Sequence, residues 1–289
     1  MHLLQMVFRT LARSCGTVAL LGLLVGPASA ATVTVSASDA GFVTEAGGSA
    51  KGDATVTPGA KYNYSAGFEL HYGTGALGAP LAPMMRRNYF VFDLSAVTTP
   101  VSAATLRLWT GTLETADAFE FYALHEITDM PAALALTAAL AGGALVSEFD
   151  SPADPLVMSA ALLYGKLADG PTTLGALGLT TAINDSFADT VLTPAGVGVL
   201  NSFLGAKLVL SGLVPSAVPP AFPQQPFGFT GPDIPAGDAK TPMLLMSVVP
   251  EPSALALALQ GGLALLAGLA LHGRGRGRAR RHRGLSDCS

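Results

Sequence analysis

Between residues 31 and 250 only two histidines occur, His71 and His125, and no cysteine at all, because Cys15 and Cys288 are the only two in the chain. Thiol catalysis, thiolate metal ligation and disulfides are therefore excluded from that stretch. A Ser-His-Asp arrangement would need one of the two histidines, and no Gly-x-Ser-x-Gly elbow is present to expose the serine. His125-Glu126 begins like a zinc-protease motif, but Asp129 stands where the second histidine is required, so the pair reads as a sheet face meeting a loop. Glu114 with Asp117, and Glu148 with Asp150, are of the type that cleaves glycosidic bonds by acid and base. In so acidic a chain they read as solvated faces. Gly73-Thr74-Gly75-Ala76-Leu77-Gly78 has dinucleotide-loop spacing, yet Pro80 and Pro83 follow where a helix must begin, which leaves a flexible loop. Asp39, Asp93, Asp233 and Asp238 carry the right oxygens for a structural Ca²⁺, without a loop spacing that demands one. No cofactor, resident metal or enzymatic activity is expected.

Binding is a better prospect than catalysis. Tyr62, Tyr64, Tyr72, Tyr89, Trp109 and Tyr122 could offer ring faces to sugars. Trp109 alternates with Leu106 and Leu108 and shares a side with Arg107, so it is predicted to face outward from a strand. Trp109 and Tyr89 are the candidate glycan contacts.

The elements that must hold these residues are strands. Short alternating runs punctuated by turn residues predict antiparallel sheets rather than βαβ units. The runs are 32–36, 88–94, 104–109, 119–127, 190–192, 207–210 and 243–248, with short helices at 131–142 and 195–204. The expected class is all-β, an antiparallel β-sandwich of jelly-roll type with short helical excursions. Pro152, Asp154 and Pro155 mark a candidate split into two domains, but one domain over 31–248 is preferred, with 243–248 as a closing strand.

Charge narrows the partners. The chain carries a net charge of -4, but two arginines lie before residue 31 and six after residue 250. The body retains eight Lys or Arg against eighteen Asp or Glu, a net near -10. Such a body repels nucleic acid and anionic membrane, so no nucleic-acid partner is expected.

Both ends read as addresses. Arg9 and Arg13 precede an apolar stretch from Thr17 to Val25, and Ala28-Ser29-Ala30 places small residues where signal peptidase reads. Residues 1–30 are thus predicted to be a signal peptide for the Sec translocon, cut between Ala30 and Ala31. At the other end stand Val249-Pro250-Glu251-Pro252, an uncharged apolar run from Ser253 to Leu271, and then Arg274, Arg276, Arg278, Arg280, Arg281 and Arg283 in the tail 272–289. Nineteen helical residues span roughly 29 Å, the thickness of a bilayer's hydrocarbon core. The basic cluster holds its end in the cytoplasm. A single transmembrane helix is therefore predicted at 253–271.

Motif, span and basic stop in that order resemble the PEP-CTERM sorting signal of exosortase substrates. The resemblance covers residues 249–289. It implies transient residence in the inner membrane, cleavage by exosortase near Pro250-Glu251-Pro252, and release of the body to the cell envelope, the surface or the extracellular matrix. A permanent single-pass anchor is the alternative. A second resemblance rests on Arg87-Asn88-Tyr89-Phe90-Val91-Phe92-Asp93-Leu94-Ser95 and on Ser102 to Trp109, which look like the paired-strand core of secreted disaggregatase-related carbohydrate-binding domains. It implies association with extracellular polysaccharide. A non-enzymatic exported surface or matrix protein is the resulting expectation, with a surface glycan-active hydrolase as the alternative.

Overall fold

Alternation along the predicted strands becomes a register of inward and outward positions. The computed structural model describes residues 30–52, 64–69, 84–111, 113, 115, 118–140, 153–215, 226–227 and 241–249. Within them run β1 (Ala31–Thr44), β2 (Ser49–Gly52), β3 (Gly67–Glu69), β4 (Met84–Asp93), β5 (Val101–Thr110), β6 (Glu120–His125), β7 (Thr173–Leu179), β8 (Ser186–Val191), β9 (Lys207–Leu213) and β10 (Met243–Val248). Three α-helices, α1 (Met130–Ala139), α2 (Pro155–Lys166) and α3 (Pro194–Ser202), and one 3-10 turn at Thr181–Ile183 interrupt them. Every strand pair is antiparallel.

The strand order is β7-β6-β9-β4-β1-β10-β5-β8, with β2 added to β1 and β3 to β4. Its two ends almost meet. Gly175 of β7 bridges to Leu192 just beyond β8, and the Thr193 N–H donates to the Leu174 carbonyl at 2.7 Å. A Cβ on Gly175 would stand 3.0 Å from the Val191 carbonyl oxygen, so glycine permits this approach. The fold is thus mostly antiparallel β, nearly closed and barrel-like, with few helices.

β1 belongs to both halves of the ladder. Ala31 to Ser36 pair with β10, and Ala37 to Thr44 pair with β4, with a register shift between Ala37 and Asp39. The extra residue, Ser38, donates its hydroxyl to the Val91 carbonyl at 3.1 Å. Such a bulge bends a strand and lets it pass from one sheet into the next. β10 is no edge strand: it lies between β1 and β5. Ala31 pairs directly with Val248, and Val248 with Val101, so both termini of 31–248 leave from one end of the ladder. These residues form one compact unit.

Inward positions make the core. Phe90, Phe92, Leu106, Leu108, Leu124, Leu208, Leu210, Leu244 and Met246 are all nearly or fully buried within one hydrophobic cluster. α1 packs on β9 and α2 on β1, while α3 covers β5 and β7. Each helix opens the same way, with a capping oxygen and a proline in the first turn. Asp129 Oδ1 accepts from Ala132 N–H, Asp154 Oδ1 from Leu156 N–H, and Thr193 Oγ1 from Gly196 N–H. The sequence pattern predicts no helix here, since Pro152, Asp154 and Pro155 read as a domain boundary; in the structure Asp154 is instead the cap of α2.

No helix among the described residues is long and apolar enough to cross a membrane. The span predicted at 253–271 lies outside the described residues, as do 1–29 and the motif from Pro250 on.

Candidate functional site

The residues of β5 and β8 that alternate with the buried ones line up as a stripe of partly to fully exposed side chains. Trp109 and Phe187 are register partners with ring centroids 5.1 Å apart at 81°, an edge-to-face pair. One step along, Arg107 and Asp189 are partners in turn. Arg107 Nε donates to Asp189 Oδ1 at 2.7 Å and Nη2 to Oδ2 at 2.6 Å, a bidentate fork. The guanidinium stands 5.8 Å from the Phe187 ring centroid. Further along lie Thr105 and Val191, the latter 63 % exposed. An aromatic pair beside a neutral ion pair offers ring edges and faces together with hydrogen-bonding groups, a combination that suits a sugar's apolar faces and hydroxyls.

This stripe is held from beneath. The Tyr64 hydroxyl donates to the Trp109 carbonyl at 3.2 Å and accepts from the Trp109 N–H at 3.1 Å. It satisfies the backbone of β5 beyond the point where β10 pairs. The Tyr64 ring is fully buried, edge-on to Phe90 at 5.6 Å. Trp109 is therefore anchored through its backbone while its side chain stays partly exposed.

Hydrogen bonding to Arg107 holds the Asp189 carboxyl below its usual range, and the same bond raises Arg107. A depressed carboxylate favours the fold above its unfolded pKa, and the gain is lost as pH falls through the folded one. Both side chains are well solvated, at 36 % and 42 % exposure, so screening limits the pair. A double-mutant cycle with Arg107→Gln and Asp189→Asn is expected to give a coupling under about 1 kcal/mol at pH 7, fading in acid as the lowered Asp189 carboxyl becomes protonated. A coupling that persists in acid would show that the fork is held by something other than its charges.

Beneath the face lies a second polar feature, centred on β4. Asn88 is fully buried, and its side chain satisfies three partners: Nδ2 donates to the Tyr64 carbonyl at 3.1 Å, and Oδ1 accepts from the Tyr122 hydroxyl at 2.9 Å and the Gly212 N–H at 3.0 Å. Next to it Arg86 is 7 % exposed, with Nη1 donating to Ser65 Oγ at 2.9 Å and the guanidinium 4.0 Å above the Phe42 ring. Arg87 points to the opposite side, where it donates to the Tyr164 and Leu167 carbonyls at the C-terminus of α2 and lies 4.4 Å from the Tyr164 ring centroid. The adjacent arginines thus serve two different layers, and neither reaches the stripe.

Tyr89 corrects an expectation. It is 1 % exposed, which leaves no ring face for a sugar. Burial, and then the charge of Asp39, push its hydroxyl above the usual tyrosine value; burial does the same to Tyr122. A raised tyrosine pKa stabilises the fold below the unfolded value near 10 and loses that stabilisation as pH rises beyond it. Alkaline absorbance titration should therefore show these two tyrosines ionising only together with unfolding. Reversible ionisation of all six near pH 10, with the far-ultraviolet spectrum intact, would refute this assignment.

The other predicted residues fall as follows. His125 closes β6 and Glu126 is the first residue after it, a sheet end meeting a loop. Asp93 caps the turn after β4, accepting from the Ser95 N–H at 3.0 Å, and bonds from Ser95 hold its pKa down. No group of three or more His, Cys, Asp or Glu side chains among the described residues could hold a metal ion. Ala30 and Ala31 are exposed at the start of β1, and Val249 is 46 % exposed. Ala28, Pro250, Glu251, Pro252 and the six tail arginines lie outside the described residues, as do His71, Tyr62, Tyr72, Asp233, Asp238, Glu114, Asp117, Glu148, Asp150 and the Gly73–Gly78 loop. Sequence reasoning missed Phe187 and Asp189, although Phe187-Ala188-Asp189-Thr190-Val191 alternates as cleanly as any strand it chose. It also missed Asn88 as a structural hub. Compared with protein-family models and with curated proteins, the chain matches none.

Proposed function

We propose that this protein is a non-enzymatic, exported component of the cell surface or extracellular matrix whose jelly-roll body associates with polysaccharide through the outer face of β5 and β8. The observation that carries the binding role is the Trp109–Phe187 pair beside the Arg107–Asp189 fork on one open sheet face. The strand order supports the jelly-roll reading. Taken in chain order, β1, β4, β5, β6, β7, β8, β9 and β10 divide into two four-stranded runs, β1-β10-β5-β8 and β4-β9-β6-β7, joined where β1 bends.

Export and sorting rest on the sequence of the two ends. In this reading the Sec translocon and signal peptidase release Ala31, the span at 253–271 holds the protein in the inner membrane, and exosortase cuts near Pro250 to Pro252. Intact mass of the native protein from culture supernatant and from membranes tests this. A secreted form ending between Val249 and Pro252 supports sorting, whereas a membrane form that keeps Arg274 to Arg283 replaces it with a permanent anchor.

The binding role has its own test. In affinity electrophoresis through the producing cell's exopolysaccharide, Trp109→Ala should weaken retention roughly tenfold, about 1.4 kcal/mol, the scale of one lost aromatic contact. Tyr89→Phe, which alters only a buried hydroxyl, should leave retention unchanged. Equal retention of Trp109→Ala and wild type would remove the proposed face.

A further inference from the structure

The end of the ladder from which both termini leave is free of charge on one half. No residue in 30–38, 94–106, 190–206 or 241–249 is charged, although the body as a whole is strongly acidic. Those segments are the start of β1, the β4–β5 connection with the start of β5, the end of β8 with α3, and β10. Among the described residues, the charged ones near this end, Asp93, Lys207, Glu126, Asp129, Lys166 and Asp169, belong to the β4-β9-β6-β7 half or its helices. In place of charge, the bare half presents the exposed side chains of Ala31, Thr32, Ser95, Thr98, Pro100 and Val191.

A second observation fixes what lies opposite. β10 is a fully paired interior strand up to Val248, so the folded body begins there without a linker. The covalent chain from Val248 to Ser253, where the apolar run begins, can reach at most roughly 18 Å at ~3.6 Å per residue. The headgroup layer takes about 5–8 Å of that. Val248 is thereby held within roughly 10–13 Å of the lipid phosphates, about one Debye length, where acidic residues around it would be repelled; Glu251 is the one acid on the connecting stretch 249–252.

We propose that the charge-free end of the β1-β10-β5-β8 half is a membrane-apposed face, resting on phospholipid headgroups while the tail is still attached. This rests on the reading of 253–271 as a span. It also gives the body an orientation. The β7–β8 turn, and the end of β5 and β8 that carries Trp109 and Phe187, point away from the bilayer, toward polymer outside.

The test uses the full chain in a Cys15→Ser/Cys288→Ser background, free of native thiols, reconstituted into phosphatidylethanolamine–phosphatidylglycerol vesicles that contain headgroup spin-labelled lipid. A fluorophore is attached at Thr98→Cys, on the apposed end, or at Ala182→Cys, in the turn between β7 and β8; both positions are exposed. Flotation with the vesicles, followed by at least threefold stronger quenching at position 98 than at position 182, is the expected result. Flotation with equal quenching, or with stronger quenching at 182, overturns the orientation and leaves the span intact. Failure to float overturns the span and the orientation together. Thr98→Glu/Ser95→Glu supplies a second readout. Two introduced charges on an exposed turn should leave the melting temperature nearly unchanged while reducing, at least twofold, the quenching of a fluorophore at Pro100→Cys, an exposed position in the same β4–β5 connection; unchanged quenching there would also count against the apposed face.

Discussion

Asn88→Leu should lower the unfolding free energy by about 3–5 kcal/mol, because three buried partners lose their bonds at once. The leucine fits the volume of the site but offers nothing to the Tyr122 hydroxyl, the Gly212 N–H or the Tyr64 carbonyl, none of which can turn to water from inside the ladder. An unsatisfied buried polar group costs about 1–3 kcal/mol, so the sum dominates any gain from added apolar surface. Tyr122→Phe provides the scale: it removes one bond and leaves Asn88 Oδ1 paired with Gly212, for an expected cost near 1 kcal/mol. Denaturant unfolding of the protein would read both. A loss below about 1.5 kcal/mol for Asn88→Leu would mean that water reaches the cluster.

Gly212→Ala should cost about 3 kcal/mol for a different reason. A Cβ at this position would sit against the Tyr122 hydroxyl and ring, well inside the 3.0 Å that real Cβ atoms respect. The ring has nowhere to go, since it is fully buried and packs edge-on against Phe227 with centroids 4.6 Å apart. Overpacking of this kind costs roughly 1–3 kcal/mol, and displacement of the strand would also lengthen the Gly212 N–H bond to Asn88. Pairing the substitution with Tyr122→Leu should recover part of the loss, a coupling of about 1–2 kcal/mol. Strict additivity of the two changes would show that the alanine acts through the backbone and not through the ring.

Most strands were legible because one face of each is wet and the other dry. The runs at 243–248 and 207–210, and the alternation ending at Trp109, reappear as β10, β9 and β5. β7 was not legible: Thr173-Leu174-Gly175-Ala176-Leu177-Gly178-Leu179 has two glycines, which read as turn signals but permit close packing against β8 and beneath the Phe119 ring. The length of β1 was hidden for a related reason, since Ser38-Asp39 and Gly41 look like a turn and are a bulge within a continuous strand. Trp109 was placed outward by period alone. Its partners were not, because register between β5 and β8 is a fact of pairing over some eighty residues of sequence, which no local pattern encodes. Tyr89 failed for the converse reason: alternation gives a side of the strand, but not that helices cover that side.

The central position of β10 has a mechanical consequence. Its hydrogen bonds to β1 and to β5 run across the strand axis on both sides. A load applied at Val248 along the strand would not peel it bond by bond from an edge but would shear two ladders together, and the load would pass at once into β1, whose bend carries it to the other half of the fold. A body attached at that point would grip like a lap joint, holding against a steady pull from its own tether and yielding only when many bonds break in concert.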